Sequence, residues 1–238
     1  MNKNLNNIKS ISVDEIKELL DENIVNNDEA KLSLSTALYK QYNNISDNNV
    51  LLMGPKGCGK TAIATELLIN SKLPFYITNA NKFGLNTKFL INDMLKNLYL
   101  AAGKNIEKAE HGIIFINHID TILSKKYIFD NDSINKTLKD LFNGTSVYVK
   151  ISKNEKVLID TTNILFIVAG TFSNAFKNTK KRLGENALTD KLRLYTFIEE
   201  EDLVSFGMHM DLIHSFNSLI PMIDYTTKDI IKLLQMQR

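Results

Sequence analysis

The stretch GPKGCGKT, residues 54–61, fits the spacing G-x-x-x-x-G-K-[ST], and its flanks decide how it is read. Before it stand four apolar residues, Val50–Met53, the length of a buried strand; after it, residues 60–70 have the composition of a helix. A glycine-rich turn in that context points backbone N–H groups inward at a helix N-terminus and forms a nest for an anion. The motif is therefore read as a phosphate loop. Gly54, Pro55, Lys56, Gly57, Cys58, Gly59, Lys60, Thr61 and Ala62 become candidate nucleotide-binding residues. Lys60 would reach the β- and γ-phosphates and Thr61 would offer a hydroxyl to Mg²⁺, so the expected cofactors are ATP or ADP with Mg²⁺. Cys58 lies where a helix N-terminus can lower a thiol pKa, but a small residue that fits the turn serves equally, and no redox role is assigned.

Outward from the loop, strands alternate with helices. Ser12, Val13, Asp14 and Glu15 read as a capping box opening a helix with Ile16, Leu19 and Leu20 on one face. A second helix is expected over residues 28–42. Downstream come a short strand (74–78), a helix (88–102), a wholly apolar strand (112–116) and a helix (132–142) ended by Asn143 and Gly144. SVYVKISKNEKVLID, residues 146–160, reads as two strands around a polar turn. A buried strand over 163–169 and helices over 199–206 and 208–217 complete the pattern. It predicts a three-layer α/β domain with a mostly parallel central sheet.

Composition removes several alternatives. The 238 residues are 44% hydrophobic, enough for a sizeable core. No apolar run approaches the roughly eighteen residues of a membrane span. MNKNLNNIKS at the start has no apolar stretch with a small-residue cleavage site, which predicts a soluble cytoplasmic chain with no membrane partner. One cysteine makes neither an internal disulfide nor a structural zinc site. Net charge is +2 with scattered lysines, so no nucleic-acid partner is expected. Arginine occurs only at Arg182, Arg193 and Arg238. His209 and His214 have no acid-histidine ligand set beside them.

A second stretch, HGIIFINHID over residues 111–120, places Asn117 and His118 directly after an apolar strand, where a P-loop ATPase would carry two acids.

Five ordered markers together resemble the large AAA+ subdomain of the ClpX family of protein unfoldases: EIKELLDENIVNNDEAK, NVLLMGPKGCGKTAIATELL, KAEHGIIFINHIDTI, NILFIVAGTF and EEEDLVSFG. The resemblance runs over nearly the whole chain. It implies a P-loop NTPase fold, an AAA+ large domain over residues 1–225, and a remnant of the helical lid over 226–238. It implies that Ile24 and Val25 hold the adenine, although ordinary core packing explains two apolar residues as well; the family's next residues, glycine and glutamine, are Asn26 and Asn27 here. Thr171 matches a position that senses the γ-phosphate, and a satisfied polar residue is the other reading.

Measured against the family, the catalytic pair is degenerate. The aspartate that orients Mg²⁺ and its water becomes Asn117, and the glutamate that polarises the attacking water becomes His118. Ser215 stands where the arginine finger would be, a group worth ~10³–10⁵ in rate in related systems. KFGLNTKF replaces the pore loop, with Phe83 or Phe89 as a stand-in aromatic unless both pack into the core. The basic loop is cut down to SKNEK. KRLGENA offers no counterpart of the loop that docks on the ClpP peptidase, so no such docking is expected. Neither the family's zinc module nor most of its lid finds a match. The leading expectation is a ClpX-like protein that binds ATP or ADP, hydrolyses weakly or not at all, and acts by binding another protein, such as an AAA+ subunit in a mixed ring. The alternative is an active unfoldase in which His118 or Asp120 substitutes for the lost acid and a partner supplies the finger. A scaffold that has lost nucleotide altogether is a third.

Overall fold

The structure, a computed structural model, describes residues 11–124, 131–184 and 195–236. Two helices, α1 (Val13–Asn23) and α2 (Asp28–Tyr42), precede β1 (Val50–Met53), α3 (Lys60–Asn70) and β2 (Phe75–Asn79). A 3₁₀ turn (Ala80–Phe83), α4 (Thr87–Ala101), α5 (Ile106–Glu110), β3 (Ile113–Asn117), α6 (Asp120–Leu123) and α7 (Asn131–Phe142) follow. Next come the hairpin β4 (Ser146–Lys150) and β5 (Lys156–Asp160), then β6 (Leu165–Gly170), α8 (Ser173–Leu183) and α9 (Glu200–Phe206). The last elements are α10 (Met210–Ile213), β7 (Ser218–Pro221) and α11 (Thr227–Met236).

The main sheet runs β2-β3-β6-β1-β7 with every pairing parallel, and the hairpin forms a separate antiparallel pair. Side chains alternate across a strand, so each central strand feeds two cores. Leu51, Met53, Ile114, Ile116, Phe166 and Val168 join the core under α4 and α7–α10; Val50, Leu52, Ile113, Phe115, Leu165 and Ile167 join the core under α1–α3. That division is the three-layer α/β architecture of a P-loop NTPase. Because both faces are covered, β1, β3 and β6 read as unbroken apolar runs.

The capping box forms as expected, with Ser12 Oγ accepting from Glu15 N–H at 3.2 Å and Glu15 Oε2 accepting from Ser12 N–H at 2.7 Å. Two expectations need correction. Leu19 does not share the buried face of α1: Ile16 and Leu20 are buried, whereas Leu19 is 37% exposed. The helix expected over 208–217 shrinks to α10, and the chain then adds β7 to the open edge of β1. Asn49 C=O accepts from Asn217 N–H at 2.9 Å, which starts that pairing. Pro221 ends it on an edge strand, where a missing N–H costs no ladder bond. Four residues with one proline carry too little local signal; the strand exists because β1 needs a partner.

Between α8 and α9 the buried Asp202 carboxylate collects Arg182 Nη2 (3.0 Å), Thr179 Oγ1 (2.8 Å) and the N–H of Glu199 (3.1 Å). Burial pushes its pKa up, but these donors outweigh burial and hold it below the ordinary 3.8. A carboxyl with a depressed folded pKa contributes stability above its unfolded pKa and loses it as pH falls through the folded value. Thermal unfolding midpoints are therefore expected to drop as pH is taken below 3.8. Asp202→Asn should lower the midpoint at neutral pH and flatten that acid slope, as read by calorimetry.

Candidate functional site

Parallel pairing brings the carboxyl ends of β1, β6 and β3 to one edge of the sheet, with β6 between the other two. Loops leaving those ends form the crevice where ligands bind in open α/β sheets. The residues 54–61 turn from β1 into α3 there. Gly57 (φ +93°) and Gly59 (φ +95°) are both left-handed, a conformation that glycine adopts without steric cost and that lets successive N–H groups face one side. Lys56, Gly57, Thr61 and Ala62 are exposed, Pro55 and Gly59 are partly so, and Gly54, Cys58 and Lys60 are buried. The ammonium of Lys60 donates to the carbonyls of Gly54 and Pro55, each at 2.7 Å. Burial pushes the Cys58 thiol up, against a smaller downward pull from Lys60, so it is not a poised thiolate.

Two residues that sequence reasoning did not assign to the site hold this loop, and a third, Tyr195, holds the neighbouring end of β6. Asn27 Nδ2 donates to Cys58 C=O at 3.4 Å and to Ile223 C=O at 3.3 Å, while its Oδ1 accepts from Ile223 N–H at 2.8 Å. Tyr225 lies over Gly59, its hydroxyl in the space a Cβ there would take. Tyr195 donates to Thr171 C=O at 3.0 Å. Asn26 (φ +65°) and Asn27 (φ +56°) are both left-handed, which explains why the first position tolerates glycine or asparagine. The consecutive asparagines after Val25 were a turn signal; where Tyr195 and Tyr225 fall was not local information. Ile24 is buried in the core under α1–α3, whereas Val25, also buried, joins neither main core among the described residues.

Asn117 ends β3 buried, and its amide orientation follows from chemistry. The His118 N–H can only donate, so Asn117 Oδ1 faces it at 2.9 Å, and Nδ2 then donates to Thr61 Oγ1 at 3.0 Å. His118 is left-handed (φ +58°), and its imidazole makes no hydrogen bond among the described residues. Asp120 Oδ2 accepts from Thr171 Oγ1 at 2.7 Å and from Phe172 N–H at 3.3 Å; its Oδ1 is buried without a partner among the described residues. Thr171 is thus a satisfied polar residue whose proton is already given to Asp120. Phe172 is left-handed (φ +46°) and wholly buried, a strained conformation for a bulky residue beside the crevice.

The remaining catalytic candidates face elsewhere. Ser215 is buried and donates to Asp211 C=O at 3.1 Å. Arg182 is tied to Glu199, Asp202 and Phe197 C=O; Arg193 and Arg238 lie outside the described residues. His209 lies 3.0 Å from Asp132 and His214 3.4 Å from Glu200, and the described residues contain no metal-binding group of three or more His, Cys, Asp or Glu. Phe83 and Leu85 pack against the core, but Phe89 does not: it is 69% exposed at the first turn of α4. Part of KRLGENA falls outside the described residues. No helix among the described residues is long and apolar enough to cross a membrane.

The sequence pattern of the ATPase family associated with various cellular activities (AAA) matches residues 50–184, from β1 through α8. This chain belongs to the AAA family. Within it, the chain is ClpX-like. The ATP-binding subunit ClpX of the ATP-dependent Clp protease from Treponema denticola is 33% identical over 260 residues, covering 92% of this chain and 62% of that protein. ClpX 2 of Wolinella succinogenes is 29% identical over 247 residues (93% and 62%), and ClpX of Porphyromonas gingivalis 30% over 241 (84% and 57%). The AAA chain thus spans about three fifths of the length of these relatives. A nucleotide fits the AAA loop: a turn with two left-handed glycines, a lysine and a threonine hydroxyl offers it donors. A hard cation fits less well, because Mg²⁺ takes oxygen ligands and the side chain beside Thr61 is an amide presenting N–H.

Proposed function

We propose that this ClpX-like AAA protein binds ATP or ADP through residues 54–62 and hydrolyses it weakly or not at all. It acts through protein-protein contact, and the partner we propose is another AAA+ subunit. Residues 1–225 would be the nucleotide-binding domain, and residues 226–238, which include α11 with none of its residues buried, would be a remnant of the lid. Neither nucleic acid, nor a membrane, nor the ClpP peptidase is among the proposed partners.

One observation carries the reading: at the end of β3 an amide locked by His118 N–H and Thr61 stands where an acid would orient the metal and its water. Among the described residues the next side chain, His118, has no group to orient it as a base, and a nucleophile-activating base is held by a third group. The intramolecular ion pairs of Arg182 and the burial of Ser215 add that neither presents a finger.

Steady-state phosphate release by the purified chain is expected below about 0.01 per second, against the roughly 1–10³ per second of ordinary enzymes. The assay is run alone and with a conventional AAA+ partner, beside Lys60→Ala. Turnover near one per second, abolished by Lys60→Ala and by His118→Ala, would establish the active unfoldase reading instead.

A further inference from the structure

We infer that this site takes the nucleotide without Mg²⁺: Asn117 and Thr61 replace the metal with a hydrogen-bond chain to the phosphate. The inference rests on the nucleotide-binding reading above and specifies its cofactor.

A threonine hydroxyl has one proton and two lone pairs. An aspartate at position 117 would accept that proton and leave the lone pairs of Thr61 to a cation. The amide reverses the polarity. Asn117 Nδ2 donates to Thr61 Oγ1 at 3.0 Å, so a lone pair is consumed and the proton is free to point out of the loop. Rotating the amide to undo this would set an NH₂ group against the His118 N–H, donor against donor, 2.9 Å from it. Asn117 is 8% exposed, so water does not relieve that clash cheaply. The positive end of an amide dipole beside the Thr61 oxygen repels a cation and attracts a phosphate oxygen.

The neighbouring carboxylate does not compensate. One oxygen of Asp120 is bonded to Thr171 and Phe172, and the other is packed 2.9 Å from where a Cβ on Gly170 would sit, under the end of β6. Charge balance comes from Lys60, whose ammonium already lies in the loop on the Gly54 and Pro55 carbonyls, together with the loop amides. In this arrangement Asn117 relays through Thr61: amide to hydroxyl to phosphate, all N–H and O–H donors, with no carboxylate at position 117 or 118 to hold a divalent ion.

The test is a fluorescence titration with N-methylanthraniloyl-ADP in buffer with EDTA and in buffer with excess Mg²⁺. Native chain is expected to bind in EDTA as tightly as in Mg²⁺ or more tightly. Asn117→Asp is expected to bind at least about tenfold more tightly with Mg²⁺ than in EDTA, a difference of ~1.4 kcal/mol. Asp120→Asn should leave the native metal response unchanged, and circular dichroism checks that each variant folds. Native binding that strengthens tenfold or more with Mg²⁺ overturns the inference, whatever the variants do, while leaving the nucleotide reading standing. Binding in neither buffer defeats the nucleotide reading, and this inference with it. An Asn117→Asp protein that folds yet ignores Mg²⁺ overturns the role given to Asn117.

Discussion

Lys60→Ala is expected to bind ADP at least about a hundredfold more weakly than the native chain, because hydrogen bonds from a charged donor contribute roughly 1.5–3 kcal/mol each and about 2.7 kcal/mol is a hundredfold. The ammonium lies in the loop at 2.7 Å from both the Gly54 and the Pro55 carbonyl, a short swing of one flexible side chain from an anion in the nest. Alanine leaves the loop amides in place, so weak phosphate contact survives while the charge is gone. Thermal unfolding gives a second readout. Nucleotide at a hundred times its dissociation constant stabilises the native chain by ~2.7 kcal/mol, a shift of about 5–10 °C for a domain of this size. The variant should show almost none of that shift at the same concentration. Its own nucleotide-free midpoint should fall somewhat, since it loses the bonds of a buried ammonium to the Gly54 and Pro55 carbonyls, so each protein's shift is read against its own nucleotide-free midpoint. A Lys60→Ala protein that keeps native affinity would remove the phosphate loop from the site altogether.

Asn49→Ala is expected to cost about 3–5 kcal/mol of folding stability, a large share of the roughly 5–15 kcal/mol a domain has. Asn49 is 6% exposed and works as a hub just before β1. Its Nδ2 donates to Phe142 C=O at 2.8 Å and to Ser215 C=O at 3.3 Å, and its Oδ1 accepts from Phe166 N–H at 3.0 Å. One side chain thereby ties the end of α7, the chain just after α10 and the start of β6 to the strand that carries the phosphate loop. Truncation leaves three buried backbone groups without partners, each at about 1–3 kcal/mol. Urea unfolding should show a lower midpoint with an unchanged slope, which separates lost stability from a changed unfolded state. A loss below about 1 kcal/mol would mean that the interior rearranges to satisfy those groups, and the hub assignment would fail.

Much of this protein could be read along the chain. GPKGCGKT set between an apolar tetrad and a helical run carried the fold, because a phosphate loop is a local turn whose φ angles two glycines allow. The unbroken apolar runs at residues 113–116 and 165–169 announced strands buried on both faces, and Ser12 with Glu15 announced a helix start. Asn117 and His118 stood out by type alone as a site without its acids. Each of these signals lies within a few residues of the structure it specifies.

What the tertiary structure decided is what joins distant segments. β7 forms because the edge of β1 takes a partner, and nothing in SLIP demands a strand. Leu19 turns outward and Phe89 stands in solvent because the neighbouring elements cover other faces of α1 and α4. Asn27 grips the loop through Cys58 and Ile223, residues 31 and 196 positions away, and Tyr225 reaches Gly59 from beyond β7. The direction of the Asn117–Thr61 hydrogen bond needs β3 and α3 side by side, with a backbone N–H to fix the amide. Sequence determined which groups this protein possesses and which it lacks, since propensity and turn chemistry are local. Which donor faces which acceptor was settled only when parallel strands brought their ends to one edge, because a hydrogen bond's polarity depends on neighbours that the chain order does not place together.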